Sequence, residues 1–260
     1  MTKLPKCYGI IPARYASTRF PGKPLADILG KPMFWHVYNR AGRCRDLSQI
    51  ALATDDERIF SSAREHDVPV VMTREDHPSG TDRVLEAAEQ LGVPEDAVVV
   101  NIQGDEPALE PGMISELLSP FISPETRVTT LVRKTVPTKA ENQDVVTVTF
   151  AKNGKALYFS RSVIPFPREG VIDVVYEHIG MYAFRMETLK KFVALGPSRL
   201  EKIEKLEQLR LLENDIPLHI VITDHQSMDV DRPGDLKAVS RHLAKNDSSK
   251  LEAESRRGKI

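Results

Sequence analysis

The sequence predicts an α/β protein built on a mostly parallel sheet flanked by helices, with a smaller α+β lobe. Two observations carry this. Short apolar runs alternate with segments of helical period through the first hundred residues, the pattern of βαβ units. The runs are also continuously apolar, as in Val98-Val99-Val100, which is how strands covered on both faces read. A chain of 260 residues, 41% hydrophobic and 28% charged, is long enough to bury one large core of this kind.

In chain order, strands are expected at Cys7 to Ile11, Ile50 to Ala53, Val68 to Met72 and Val98 to Ile102, with helices after Pro32, from Asp56 and after Ser79. Right-handed crossovers would bring the C-terminal ends of these strands to one edge, where open α/β sheets bind ligands. After about Pro120 the rhythm changes. Val128 to Val132, Val145 to Phe150, Ala156 to Phe159 and Gly180 to Phe184 read as strands with a short helix following, an α+β lobe over approximately 120–195. Ser198 is placed to cap a helical stretch running through Asn214. Leu218 to Thr223 then reads as a strand returning to the core sheet, and Asp235 to Ala244 as a last helix. Residues 1–244 are expected to form a single domain. The polar segment 245–260 has no apolar periodicity and is expected to be poorly ordered.

The charge balance narrows the partners. With 36 basic and 37 acidic side chains, the chain has no overall field to hold nucleic acid or an anionic membrane, so any anion site must be local. Two cysteines, Cys7 and Cys44, suit neither a disulfide framework nor a zinc site and fit a reducing, cytoplasmic setting. The N-terminal apolar stretch is too short for a signal sequence, and no run reaches membrane-spanning length.

Four segments concentrate chemistry. Directly after the first strand, the stretch from Ile11 to Leu25 gathers Arg14, Arg19 and Lys23 among small residues and prolines. Three cations and backbone N–H donors at a strand end suit a triphosphate; a solvated basic loop accounts for the same composition. Neither Gly-x-x-x-x-Gly-Lys nor Gly-x-Gly-x-x-Gly is present, which removes P-loop and dinucleotide readings. Next, Gln103-Gly104-Asp105-Glu106-Pro107 follows a buried strand, so Asp105 stands at the active edge, where a carboxylate can hold Mg2+ against phosphates; a plain Gly-Asp turn is the alternative. In Met228 to Asp235, Asp231 can supply a second oxygen ligand, although helix capping would use acids there as well. Finally, Ser79-Gly80-Thr81-Asp82-Arg83 can present backbone groups to a base edge while Ser79 or Thr81 caps the helix.

Ile11-Pro12-Ala13-Arg14, Pro21-Gly22-Lys23-Pro24-Leu25, Ser79 to Arg83, Gln103 to Pro107, Tyr158-Phe159-Ser160-Arg161 and Leu206-Glu207-Gln208-Leu209-Arg210, in this order from about residue 8 to 244, closely resemble the 3-deoxy-manno-octulosonate (Kdo) cytidylyltransferases. The resemblance implies a nucleotidyltransferase fold, a Mg2+ cofactor and a homodimer. It also implies formation of CMP-Kdo and pyrophosphate from CTP and an acidic eight-carbon sugar for lipopolysaccharide synthesis, with the 120–195 lobe binding the sugar and forming the dimer. Carried over by residue, it places Arg14 and Lys23 on the triphosphate and Pro12, Ala13, Arg74, Ser79 and Gly80 around the cytidine. Asp105 and Asp231 fall on the metal, and Arg14, Lys23 and Asp105 carry the chemistry. Arg19, Gln103, Arg161, His178, Tyr182, Glu207 and Gln208 fall on the sugar; without the resemblance, His178 would read as a satisfied core histidine and Glu207-Gln208 as a polar helix face. Two departures stand out: Glu177 replaces a commonly basic residue, and the segment from Arg168 to Tyr176 is short. Two other readings remain open: a cytidylyltransferase for a modified acidic sugar such as an amino-Kdo, and a non-catalytic nucleotide-binding relative.

Overall fold

The computed structural model describes residues 3–16 and 20–245. Its first half alternates strand and helix as the apolar runs predict. β1 (Cys7–Ala13) leads through the loop that carries Lys23 and two short paired strands, β2 (Asp27–Ile28) and β3 (Lys31–Pro32), into α1 (Met33–Ala41). β4 (Leu47–Thr54), α2 (Glu57–Glu65), β5 (Val70–Met72), α3 (Gly80–Gln90), β6 (Val98–Asn101) and α4 (Pro111–Leu118) follow. Asp56 and Ser79 cap α2 and α3, their side-chain oxygens accepting from the N–H groups of Arg58 and Asp82.

The second half consists of β7 (Val128–Thr135), α5 (Pro137–Ala140), β8 (Thr147–Phe150), β9 (Ala156–Ser160), β10 (Val175–Arg185), α6 (Met186–Leu195), α7 (Arg199–Glu204), α8 (Leu209–Glu213) and β11 (Leu218–Ile222), with residues 236–245 helical at the end of the described chain. The strands form one nine-stranded sheet in the order β11-β7-β10-β6-β1-β4-β5, with β8 pairing β10 and β9 extending from β8. β10 runs antiparallel to both neighbours, and the pairs β1–β4, β1–β6, β4–β5 and β7–β11 are parallel. β7 and the latter half of β10 therefore lie inside the core sheet, and the β8–β9 hairpin is the part of 120–195 that extends from it.

Alternation along the central strands builds two cores. Val99 and Ile10 face a cluster with Val84, Ala87, Leu189, Phe192 and Leu209, from α3, α6 and α8. Val98, Val100 and Ile11 face the opposite cluster, with Phe34, Val37, Ile59, Met113 and Leu117 from α1, α2 and α4. Burial of each Val, Leu or Phe contributes about 1.5–3 kcal/mol, and this two-sided burial explains why β6 reads as an unbroken apolar run. Cys7 and Cys44 are both buried, and enclosure pushes the Cys7 thiol up to about 12. Native protein at pH 8 is expected to leave Cys7 unlabelled by iodoacetamide while denatured protein labels fully; mass spectrometry of the Cys7 peptide checks this.

The helix expected from Ser198 through Asn214 is two short helices. Lys205 adopts φ 56° and ψ 45°, a left-handed conformation that ends α7 and turns Leu206 into the core. Burial of Leu206 and Leu209 on the inner face overrides a sequence that is helix-favouring throughout. Glu207 and Gln208 are consequently carried on the turn entering α8 instead of a helical polar face.

Candidate active site

Chain order and sheet order diverge at β1. From β1 the chain moves outward to β4 and β5, then returns to place β6 on the other side, so a topological switch point lies between β1 and β6. Loops diverge at the C-terminal ends of these two strands and leave a crevice. One pocket of about 440 Å³ opens there, lined by Pro12, Ala13, Arg14, Ala16 and Lys23 from the β1 side, Gln103, Gly104 and Asp105 from the β6 side, and Gly80 at the start of α3. A second, of about 470 Å³, adjoins it and shares Gln103 and Asp105.

The loop after β1 is tied back on itself, the Gly22 N–H donating to the Tyr15 carbonyl at 2.9 Å with Gly22 at φ +70°. The Arg58 guanidinium lies over the Tyr15 ring at 3.2 Å. On the other strand, Gly104 passes so close to β1 that a Cβ there would stand 2.6 Å from the Pro12 carbonyl oxygen. Any side chain at 104 would push the two pocket-forming loops apart.

Lys23 joins three distant segments. Its ammonium donates to Asp105 Oδ2 at 2.7 Å and to the Val230 carbonyl at 2.9 Å, and Asp231 Oδ1 lies 3.7 Å away. The Val230 N–H donates to the Asp105 carbonyl at 2.9 Å, which locks the C-terminal turn against the β6 loop. The capping duty open to this acidic turn falls to Asp235, which accepts from the N–H groups of Asp231 and Arg232 at 2.9 and 2.8 Å. Asp231 is thereby left facing Lys23.

The second pocket is polar and rigid. β10 shifts register between Ile179 and Tyr182, a bulge that turns Gly180 toward β6, where its carbonyl accepts from Gln103 Nε2 at 2.6 Å. The Tyr182 hydroxyl donates to Gln208 Oε1 at 3.1 Å. Glu207 accepts from the Thr81 hydroxyl at 2.7 Å, and burial raises its pKa. Arg161 donates from Nε and Nη1 to the carbonyls of Glu204 and Gln143, each at 2.8 Å, so its guanidinium is fixed by neutral acceptors. Its charge stays available for an anion.

His178 lies with Nε2 2.9 Å from the Thr130 hydroxyl and packs edge-on to Phe159, and desolvation lowers its pKa to about 3. The ring is therefore neutral at pH 7. Because the unfolded-state value, near 6.5, lies above the folded one, this contribution to stability is complete above pH 6.5 and is lost as pH falls toward 3. A His178→Asn variant is expected to lose less stability between pH 7 and pH 5 than the wild type, as read from urea midpoints.

Of the residues singled out from the sequence, Pro12, Ala13, Arg14, Lys23, Gly80, Asp105 and Gln103 line the first pocket, and Gln103, Arg161, His178, Tyr182, Glu207, Gln208, Asp105 and Asp231 line the second. Arg74 lines neither. It is largely exposed, with its N–H on Glu86 and its guanidinium 3.6 Å from Glu86 and 3.7 Å from Asp76, because the chain after β5 turns outward before α3. Ser79 is also outside the lining, its hydroxyl engaged in capping α3. Arg19 lies outside the described residues, as does the tail beyond residue 245.

Glu106, Arg133 and Asp229 also border the second pocket; Glu106 and Asp229 stand in segments singled out from the sequence without a role of their own, and Arg133 carries no signal of a site in its spacing. Burial, with Asp105 and Asp229 beside it, pushes the Glu106 carboxyl up to about 8. Arg133 binds Glu177 through Nε at 3.0 Å and Nη2 at 2.8 Å, and Lys139 adds a third contact at 3.2 Å. Burial alone would raise the Glu177 carboxyl; these two cations outweigh it and hold it below the usual range. Glu177 is thus the buried counter-charge of Arg133, which explains an acid at that position.

Comparison with known proteins places this geometry. A family model described as cytidylyltransferase matches residues 8–220. The chain is 59% identical over 245 residues to the 3-deoxy-manno-octulosonate cytidylyltransferase of Nitratidesulfovibrio vulgaris (strain Hildenborough), covering 93% of this chain and 97% of that one. It is 46% identical over 239 residues to the 8-amino-3,8-dideoxy-manno-octulosonate cytidylyltransferase of a Shewanella species, covering 90% and 97%. A solved CMP:2-keto-3-deoxy-manno-octonic acid synthetase in complex with CTP superposes with a TM-score of 0.87 at 38% identity, covering 93% of this chain and 99% of that one.

Proposed function

The chain belongs to the cytidylyltransferase family, among the 3-deoxy-manno-octulosonate cytidylyltransferases, and we propose that it joins CMP from CTP to an acidic eight-carbon sugar, 3-deoxy-manno-octulosonate, releasing pyrophosphate for lipopolysaccharide synthesis. The observation that carries the reading is the pair of adjoining pockets meeting at Gln103 and Asp105, with the cations Arg14 and Lys23 on one side and Arg161 on the other.

In this reading the nucleotide lies in the first pocket, its base against Pro12, Ala13 and Gly80 and its phosphates toward Arg14 and Lys23. The sugar acid lies in the second, its carboxylate toward Arg161 and its hydroxyls among Gln103, His178, Tyr182, Glu207 and Gln208. The anomeric hydroxyl attacks the α-phosphate in line, the bond to the β-phosphate oxygen breaks, and pyrophosphate leaves on the opposite side. Arg14 and Lys23 neutralise charge that builds on the leaving group, so the protein's contribution is positioning and electrostatics. Asp105 and Asp231 fit a Mg2+ ion: two carboxylates already face one cation, the Lys23 ammonium, and Mg2+ takes few protein carboxylates beside substrate and water. Bound there, the ion would neutralise phosphate charge and lower the attacking hydroxyl's pKa.

Among the described residues no helix is long and apolar enough to cross a membrane, and we place the enzyme in the cytoplasm, where CTP is made. We propose a homodimer formed by the 120–195 region, where Leu157, Phe166 and Val171 are 60%, 83% and 87% exposed; apolar side chains so exposed suit an interface. A second acceptor, the 8-amino sugar, is favoured by one observation: Asp144 and Asp229 also border the sugar pocket and suit an ammonium group.

Pyrophosphate release from purified protein with CTP, Mg2+ and each of the two octulosonates, with ATP, UTP and sialic acid as controls, tests the proposal. Release with CTP and 3-deoxy-manno-octulosonate is expected. Release only with the 8-amino sugar would move the acceptor, and CTP binding without any release would leave a nucleotide-binding protein.

A further inference from the structure

The Ser79-Gly80-Thr81 segment that opens α3 divides its duties. Ser79 caps the helix and Gly80 lines the first pocket. Thr81 does neither. It is fully buried, and its hydroxyl donates to Glu207 Oε1 at 2.7 Å, 126 residues further along the chain. The direction of that bond is imposed from behind. Asn101, the last residue of β6 and 2% exposed, donates from Nδ2 to the Thr81 oxygen at 3.1 Å. A hydroxyl carries a single proton; with the amide donating into its oxygen, that proton is committed to the carboxylate. Buried chains of this kind polarise along their length, each bond strengthening the next.

Glu207 has little else to hold it. It stands on the turn between α7 and α8, and among the described residues Thr81 is the one hydrogen-bond partner of its carboxylate. The residue is partly exposed and lines the second pocket. Its neighbour Gln208 is held by the Tyr182 hydroxyl, and Tyr182 is the cross-strand partner of Asn101 in the β6–β10 ladder. Two adjacent side chains of the pocket wall are thus moored to one register position of the core sheet, Gln208 directly and Glu207 through Thr81. A carboxylate tethered by one oxygen keeps a fixed place for a sugar hydroxyl; untethered, it has to be ordered by the substrate, and that cost appears in binding.

We infer that Thr81 is a positioning residue of the sugar pocket, its hydroxyl, oriented by Asn101, fixing the Glu207 carboxylate that receives the acceptor. Thr81 touches no substrate and acts through Glu207. The inference rests on the function proposed above.

Thr81→Val keeps the shape and removes the hydroxyl; Thr81→Ser keeps the hydroxyl and removes a methyl group. For Thr81→Val the KM for the sugar is expected to rise about tenfold, the size of one hydrogen bond to a charged group. The KM for CTP should stay within about twofold of wild type, and Thr81→Ser should recover most of the loss. Added to Glu207→Ala, Thr81→Val should change the sugar KM by less than about twofold, because the group it acts through is gone. Thermal melts confirm folding, and Thr81→Ala replaces the valine variant if that one does not fold. An unchanged sugar KM in the folded valine or alanine variant, a serine variant equally impaired, CTP and sugar KM rising together, or a full further loss on top of Glu207→Ala overturns the inference. Wild-type protein that turns over no octulosonate overturns the functional reading on which it rests, a failure visible before any variant is compared.

Discussion

Lys23→Ala protein is expected to turn over on the order of 10²–10³-fold more slowly than wild type, the loss associated with removing one preorganised donor from a site of developing charge. The position of Lys23 explains why so much depends on it. It is largely enclosed, its side chain 14% exposed, and is held by Asp105, the Val230 carbonyl and the nearby Asp231. Its rotamer is therefore selected before substrate arrives, and little ordering is needed at the moment of reaction. The same contacts predict a second effect. Without the ammonium, Asp105 and Asp231 lose the cation they share, so added Mg2+ should raise the melting temperature of Lys23→Ala by more than it raises that of wild type. Steady-state pyrophosphate release and a thermal scan with and without Mg2+ measure both. Near-wild-type turnover would remove Lys23 from the chemistry, and equal Mg2+ shifts would remove it from the metal site.

How far this site is legible in the sequence varies with what determines each part. β6, the latter half of β4 and most of β1 are buried on both faces, so the forces that shape them leave continuous apolar runs; their existence and the ligand-binding edge follow from that pattern. Capping leaves an equally local trace, and Asp56 and Ser79 cap the helices their positions suggest. β10 is less legible. Only Gly180 to Phe184 reads as strand, because a glycine in mid-run punctuates the pattern; the strand in fact continues back to Val175 across a bulge that Gly180 helps to form. The break at Lys205 is not legible at all. Residues 199–213 favour helix locally, and only the fit of Leu206 and Leu209 into a core built by other elements decides against one helix. That break carries Glu207 and Gln208 into the second pocket, so the part of the site hardest to read is the part made by tertiary packing. Arg133 and Glu177 tell the same story from the other direction: on their own each is an ordinary charged residue near a strand, and their pairing exists because β7 and β10 are neighbours.

Asp105→Asn protein is expected to lose activity almost completely while keeping its fold. The change is isosteric and the residue is about one-third exposed, so packing is undisturbed. The backbone bonds that seat the loop, Val230 N–H to the Asp105 carbonyl at 2.9 Å among them, do not involve the side chain. What changes is chemical. A neutral amide is a much poorer ligand for Mg2+ than a carboxylate, and it also removes the charge that holds Lys23 at 2.7 Å. Two functions that meet at one side chain, the metal and the orientation of the leaving-group cation, should then fail together, so the combined variant Lys23→Ala/Asp105→Asn should be little worse than Asp105→Asn alone. The measurements are pyrophosphate release as a function of Mg2+ concentration, a thermal melt to confirm folding, and the double-mutant comparison. An Asp105→Asn protein that is active with wild-type Mg2+ dependence would show that Asp105 does not hold the metal. Fully multiplicative losses in the double variant would show that Lys23 and Asp105 act separately, despite their contact.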